Sequence, residues 1–379
     1  MNKRIIVYGL VLILVLTVSA TTKNGSGFSP DKLSKIHTII KTEMAKQKIP
    51  ALSIAIAIDN QLRYEQGFGL ADLENKVPAN ATTAFRTASI AKAITAVGVM
   101  QLAEQGKLHL DAPIQKYCQA FPQKQWTVTA RQLLGHLGGV RHYKPGEDNG
   151  TKFFPSVTSS LSIFKDDPLL LRPGQKYVYT TFGYSVLGCA IEGVSGASYE
   201  DYVTEHLFKP AEMKNTELDN QRLIIPHRAR GYTKLSQQRY DRLSREERLH
   251  MKVDEIYNAS LHDTSMKVPG GGLLATPADL VRFAAAVNTK KLLGKNSLEQ
   301  MWTEQKTRDG KTTGYGLGWD VAEIAGLKLV RHTGGQAGTS TLLEMIPEKG
   351  LIVAIMCNLD GVAVTTIADQ INSILLSTN

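Results

Sequence analysis

Ser89 and Lys92 stand three residues apart where an unusually uncharged run of helix formers, Ser89 to about Glu104, begins. That spacing places both side chains on one helical face. The Lys amine can then approach the Ser hydroxyl, while the N–H groups and dipole of the first turn favour an oxyanion nearby. A serine hydroxyl becomes an effective nucleophile only when a base takes its proton. Lysine can be that base only when neutral, and bringing its pKa from near 10.4 to about 7 costs roughly 4–5 kcal/mol. Burial and a neighbouring positive charge can supply that shift. Ser-x-x-Lys tetrads also arise by chance in long chains, so the pair gains weight only from its company.

That company begins with Tyr179, just ahead of a helix start at Thr181. It continues with His332-Thr333-Gly334-Gly335, on a strand whose backbone N–H groups could face a ligand. Other chemistries find less support. His136 and His142 read as structural histidines, and no His, Cys or Asp cluster has metal-ligand spacing, so neither metal nor cofactor is expected. The absence of Gly-x-Ser-x-Gly disfavours an α/β-hydrolase. Gly270-Gly271-Gly272 lacks the following Lys of a phosphate-binding loop and reads as close backbone packing. Cys118, Cys189 and Cys357 are scattered and are expected as three buried thiols, with a single bridge in an oxidising compartment as the alternative.

Of the net charge of +9, the stretch Arg222–Lys252 carries nine Lys/Arg against three Asp/Glu, a net of +6. It is expected to be a solvated, partly helical loop, with association to an anionic membrane or polymer surface as its functional reading. It lacks the aromatic interleaving of a nucleic-acid module, so no nucleic-acid partner is expected.

The elements that must position Ser89 follow from pattern. Ser29-Pro30 opens a helix carrying Leu33, Ile36, Ile40 and Met44 on one face. Residues 51–58 and 61–68 read as a hairpin around Asp59-Asn60. The helix from Ser89 is apolar all round and must run through the interior. Thr129, Thr180-Thr181, Ser198 and Thr276 mark helix starts through the middle. Strands are expected at 315–321, 327–332, 340–346 and 351–356, then a closing helix over 364–376. Strands at both ends with helices between predict an α+β fold. One antiparallel sheet is built from both chain ends (about 29–111 and 312–379) and flanked by helices, and a mainly helical lobe (about 112–311) is inserted between them. Ahead of it, Lys3-Arg4 and the apolar run Ile5–Thr17 read as a signal peptide or N-terminal anchor over 1–20, followed by a linker over 21–28.

Seven ordered segments carry a more specific resemblance. They are Phe85–Lys92, Arg131–His136, Gly138–Tyr143, Tyr179–Tyr184, Gly270–Thr276, Tyr315–Trp319 and His332–Gly335. Together they resemble the class C β-lactamase and penicillin-binding-protein-like serine hydrolases, most of all the mitochondrial β-lactamase-like serine proteases and their bacterial relatives. The resemblance spans nearly the whole mature chain. It implies a serine β-lactamase/transpeptidase-like fold and an acyl-enzyme on Ser89, with Lys92 and Tyr179 sharing the proton traffic and either able to be the base. It further implies an oxyanion hole from the N–H groups of Ser89 and Gly335, and substrate contacts from Thr181, His332, Thr333 and Gly334. Two positions depart from the family, which commonly has Asn at 181 and Lys at 332. A histidine only partly charged near neutral pH replaces a fixed cation there. That points away from strong β-lactam turnover and toward a small peptide or ester substrate. A weak β-lactamase, a D-Ala carboxypeptidase-type enzyme and a largely non-catalytic binding homologue stand as alternatives. The implied locations are periplasmic or secreted, outer-side membrane-tethered, or the mitochondrial intermembrane space in a eukaryote.

Overall fold

The computed structural model describes residues 27–377. The signal or anchor segment and most of the linker lie outside the described residues. Phe28, expected to end the linker, instead packs edge-on against Tyr64. Helix α1 (Pro30–Gln47) starts as its sequence dictates, with the Ser29 side chain accepting the Lys32 N–H. Strands β1 (Ala51–Ile58), β2 (Gln61–Asp72) and β3 (Val77–Pro78) follow. Strand β4 (Phe85–Arg86) then delivers the chain to α2 (Ile90–Glu104).

The middle of the chain is a series of short helices with small strand pairs. These are α3 (Ala130–Leu134), α4 (Val157–Ser160), α5 (Thr181–Ser195) and α6 (Tyr199–Val203). Strands β5 (Glu217–Leu218), β6 (Tyr232–Lys234) and β7 (Ile256–Asn258) bracket α7 (Gln237–Tyr240) and α8 (Arg245–Arg248). The four-residue α7 and α8 contain no buried residue, so this part of the basic stretch is the solvated, partly helical loop its composition predicts, while Tyr232 and Leu235 ahead of it are buried. Next come α9 (Val268–Gly271), β8 (Leu273–Ala275), α10 (Pro277–Asn288) and α11 (Lys295–Met301). Strands β9 (Asp320–Ile324), β10 (Leu327–Gln336), β11 (Thr339–Ile346) and β12 (Leu351–Cys357) lead to α12 (Val364–Leu376).

The large sheet is antiparallel with order β3-β2-β1-β12-β11-β10-β9, so strands from both chain ends meet at β1 and β12. Helices cover both faces, which is why β1, β11 and β12 are buried along nearly their whole length instead of alternating. On one face α1 and α12 close over Ile36, Ile40, Ile54, Ile355, Ile367 and Ile371. On the other lie α2 and α10, inside the larger core with Ile94, Val97, Leu280 and Phe283. Helix α10 packs directly on β1 and β12, although its place in the chain put it in the inserted lobe.

Two expectations are corrected. Tyr315–Val321 is not a strand: it is a buried loop in which Gly318 takes φ +88°, and the strand begins only at Asp320. Its apolar alternation arises because Tyr315, Leu317 and Trp319 all fill the core. The three cysteines are not three thiols either. Cys118 and Cys189 form a disulfide, 71 residues apart in sequence with Cα atoms 5.3 Å apart, and only Cys357 is unpaired. Nothing local in the sequence announces a contact made by packing α5 against the loop after α2. Closing a loop of that length is worth about 4 kcal/mol in the chain-entropy account. Replacing both Cys118 and Cys189 by Ala is therefore expected to cost about 2–5 kcal/mol in urea unfolding. Wild-type protein under reductant should unfold at the same urea concentration as the double variant. An unchanged midpoint in both would show that the bridge contributes nothing.

Candidate active site

Ser89 sits at the N-cap of α2, half-buried, at the end of a tight turn. Ala88 before it takes φ +46°, a left-handed conformation costly for a residue with a Cβ. Surrounding bonds hold it there. The Thr87 N–H donates to Leu273 O (2.9 Å), and the Thr341 hydroxyl donates to Thr87 O (2.9 Å). Strands β8 and β11 thus clamp the turn that presents the hydroxyl. Among the described residues no backbone carbonyl accepts the Ser89 N–H.

Lys92 is fully buried, at 0% exposure. Its Nζ lies 3.0 Å from Ser89 Oγ, 3.2 Å from Thr181 Oγ1 and 2.7 Å from Gly270 O. Burial first, then the nearby Lys267 cation, holds the amine well below the ordinary lysine pKa. A neutral amine matches those three neighbours. Gly270 O can only accept, Thr181 Oγ1 can accept, and the remaining lone pair faces the Ser89 hydroxyl. Gly270 allows this approach because a Cβ there would stand 2.5 Å from Thr181 Cγ2. The glycine run thus serves close packing around the lysine.

Tyr179 is half-buried beside the pair, its ring centroid 4.9 Å from Lys92 Nζ. Burial pushes its phenol pKa up, and its hydrogen bond with Ser89 offsets this only in part. Two histidines fix the segment carrying Tyr179 and Thr181. His136 Nδ1 accepts the Thr180 N–H (3.2 Å), and His142 Nδ1 accepts the Thr181 N–H (3.3 Å). Both rings therefore satisfy orphan donors at the start of α5. Burial holds His136 well below the usual histidine range and brings His142 to about 4, so both are neutral acceptors at pH 7.

Strand β10 forms the opposite wall. It pairs with β11 from Val330 to Gln336, but with β9 only as far as Arg331, so from His332 onward its outer edge has no partner strand among the described residues. Gly335 is exposed, with open space where a Cβ would stand. Gly334 faces inward, where a Cβ would lie 2.3 Å from Thr341 Oγ1 and 2.7 Å from Thr87 O. Thr333 is half-buried on the face that alternation shares with Gly335.

His332 departs from expectation. A partly charged imidazole lining the site is predicted, yet it is 2% exposed and burial brings its pKa to about 3. Its Nδ1 lies 2.6 Å from Thr333 O, which can only accept, so Nδ1 carries the proton. Nε2 then accepts from the Tyr315 hydroxyl at 2.9 Å. The ring is a neutral part of the wall behind Tyr179.

Sequence reasoning missed several neighbours. Lys267 is 4% exposed with its Nζ 5.6 Å from the Tyr143 ring centroid, and Tyr143 in turn hydrogen-bonds Thr181. Arg86, three residues before the nucleophile, is locked to buried Asp219 by a 2.7 Å ion pair. A lone Lys in a loop-rich stretch carries no sequence signal of its own.

Residues 36–375 match the Beta-lactamase family. Human serine beta-lactamase-like protein LACTB, mitochondrial, is 29% identical over 85% of this chain and 76% of its own length. Penicillin-binding protein 4* of Bacillus subtilis is 28% identical over 83% of this chain and 69% of its own. Among solved structures, the octameric penicillin-binding protein homologue from Pyrococcus abyssi superposes with a TM-score of 0.77 at 26% identity, covering 92% of this chain and 78% of that one. The D-amino acid amidase from Ochrobactrum anthropi SV3 reaches 0.78 at 21% identity over 91% of this chain and 99% of its own, a likeness of fold alone.

Proposed function

The chain belongs to the beta-lactamase family, and on that premise we propose that it is a serine hydrolase acylated on Ser89 by a peptide or ester substrate. The observation that carries the reading is the buried Lys92 amine 3.0 Å from Ser89 Oγ. Lys92 and Tyr179 are both pushed toward their neutral forms, one by a falling pKa and the other by a rising one. A neutral amine accepts a proton and a neutral phenol donates one, which divides the roles. Lys92 takes the Ser89 proton as Oγ bonds to the substrate carbonyl carbon. The N–H groups of Ser89 and Gly335 receive the developing oxyanion. As the bond to the leaving group breaks, Tyr179 gives that group its proton and is resupplied from Lys92. Water then adds to the acyl-enzyme carbonyl, losing its proton to the same base, and Ser89 leaves with a proton restored.

The unpartnered edge of β10 offers main-chain groups to an extended substrate, which supports a peptide-like ligand. Neutral His332 offers no cation to a β-lactam carboxylate, so penicillin turnover should be weak. The Cys118–Cys189 disulfide favours an oxidising compartment, periplasmic, secreted or intermembrane.

Intact-mass labelling with a fluorophosphonate tests the reading. Wild type should gain one adduct, mapped to Ser89, with loss of fluoride, and Ser89→Ala should gain none. An adduct that survives in Ser89→Ala would overturn the assignment.

A further inference from the structure

Arg228 and Arg230 belong to the basic stretch, yet with Arg86 they line one cavity of about 430 Å³, a size usual for small-molecule sites. Among the described residues no Asp or Glu lines it. Two carboxylates pair with the three guanidiniums. Asp219 takes Arg86 at 2.7 Å and stands 3.9 Å from Arg228 Nη1, and Glu74 takes Arg230 at 2.6 Å. Asp360, which accepts the Gly338 N–H at the same wall, faces Arg239 at 3.7 Å. One positive charge at the cavity is therefore left uncompensated. Arg228 is also short of acceptors. Its Nη2 donates to the carbonyls of Asn220 (2.8 Å) and Leu223 (3.4 Å), but its Nε is buried with no partner among the described residues. A buried donor on a charged group is costly to leave unmet. Phe85, Ala229, Ala259 and the exposed Leu261 give the same cavity apolar surface.

We infer that this cavity is a second binding site, for a small organic carboxylate with an apolar body. A carboxylate supplies the missing negative charge and the acceptor that a guanidinium N–H bonds best. The apolar wall takes the body of the ligand. The site stands apart from the Ser89 cleft, because none of Ser89, Lys92, Tyr179, Thr181 or the segment His332–Gly335 lines it. Its walls are nonetheless firm. Phe85 and Arg86 lead into the Ser89 turn, Gly338 and Thr339 join β10 to β11, and the Thr339 hydroxyl ties the two by donating to Arg86 O at 3.2 Å.

Isothermal titration with 4-phenylbutanoate and its neutral counterpart, 4-phenylbutanamide, tests the site by reading binding and not turnover. Wild type should bind one carboxylate per chain with a Kd of about 1 mM or tighter, and the amide at least about tenfold more weakly. Arg228→Met and Arg230→Met should each weaken the carboxylate by about tenfold and leave the amide nearly unchanged. Arg230 is partly exposed, so its variant carries the test if Arg228→Met impairs folding. Protein carrying the fluorophosphonate adduct on Ser89 should bind the carboxylate as wild type does. Loss of binding in that adduct would place the anion in the catalytic cleft and overturn the inference. So would equal affinity for acid and amide, no binding up to about 10 mM, or an affinity unchanged in both arginine variants. Failure of the labelling itself would count against the hydrolase reading alone, and the titration with its arginine variants would still decide the site.

Discussion

Lys92→Met should lower kcat/KM for an activated ester by about 10³–10⁵-fold, the loss typical when one member of a nucleophile–base pair is removed. Among the described residues, the other titratable groups around Ser89 are already committed. His142 Nδ1 is occupied by the Thr181 N–H, and His332 is hydrogen-bonded at both nitrogens. Tyr179 is held as a phenol. Lys92→Arg should be no better than Met, because a guanidinium keeps its proton at any working pH. The pH dependence follows from the same cause. The active form has Lys92 neutral, so activity is present above its lowered pKa and falls as pH drops through it. The acid limb of kcat/KM should therefore lie well below the ordinary lysine pKa of 10.5. Measured across pH with circular dichroism to confirm folding, an active Lys92→Arg enzyme with an unchanged acid limb would place the base elsewhere.

Much of this site could be read from the chain because its parts are local. Ser89 and Lys92 share one turn of α2, and an apolar helix on every side announces a buried lysine. The end strands and α12 followed from alternating or continuous apolar runs with clear breakers, and α12 falls on the residues expected. What stayed hidden depends on contacts between distant segments. Gly270 O reaches Lys92 across 178 residues, and His136 and His142 cap a helix about 40 residues on. The neutral state of His332 is set by burial, and its Nε2 is occupied by Tyr315, neither of which its neighbours in sequence reveal. Lys267 could not be distinguished from any surface lysine without knowing that α9 passes behind the nucleophile. Periodicity misled at Tyr315–Trp319 because a buried loop with inward-facing aromatics mimics a strand.

Adjacent glycines on β10 should respond in opposite ways. Gly334→Ala is expected to lose both stability and activity. Its new Cβ would lie 2.3 Å from Thr341 Oγ1, 2.7 Å from Thr87 O and 3.0 Å from Ala88 Cβ, and none of these is the end of a long flexible side chain. Overpacking of that kind costs about 1–3 kcal/mol. Relief would require β10 to move away from the Thr87–Ser89 turn. A displacement near 1 Å there would carry the Gly335 N–H off the oxyanion position and cost about 10²-fold in kcat. Gly335→Ala meets no atom within 4 Å, so its melting temperature should stay close to wild type. Its N–H is retained, and its methyl group intrudes only into the cleft, so the loss should grow with substrate bulk and appear in KM. Thermal unfolding beside kinetics on a small and a bulky ester separates the two. A Gly334→Ala protein with wild-type melting and wild-type kcat would mean that β10 does not bear on the nucleophile turn as closely as its contacts with Thr87 and Ala88 require.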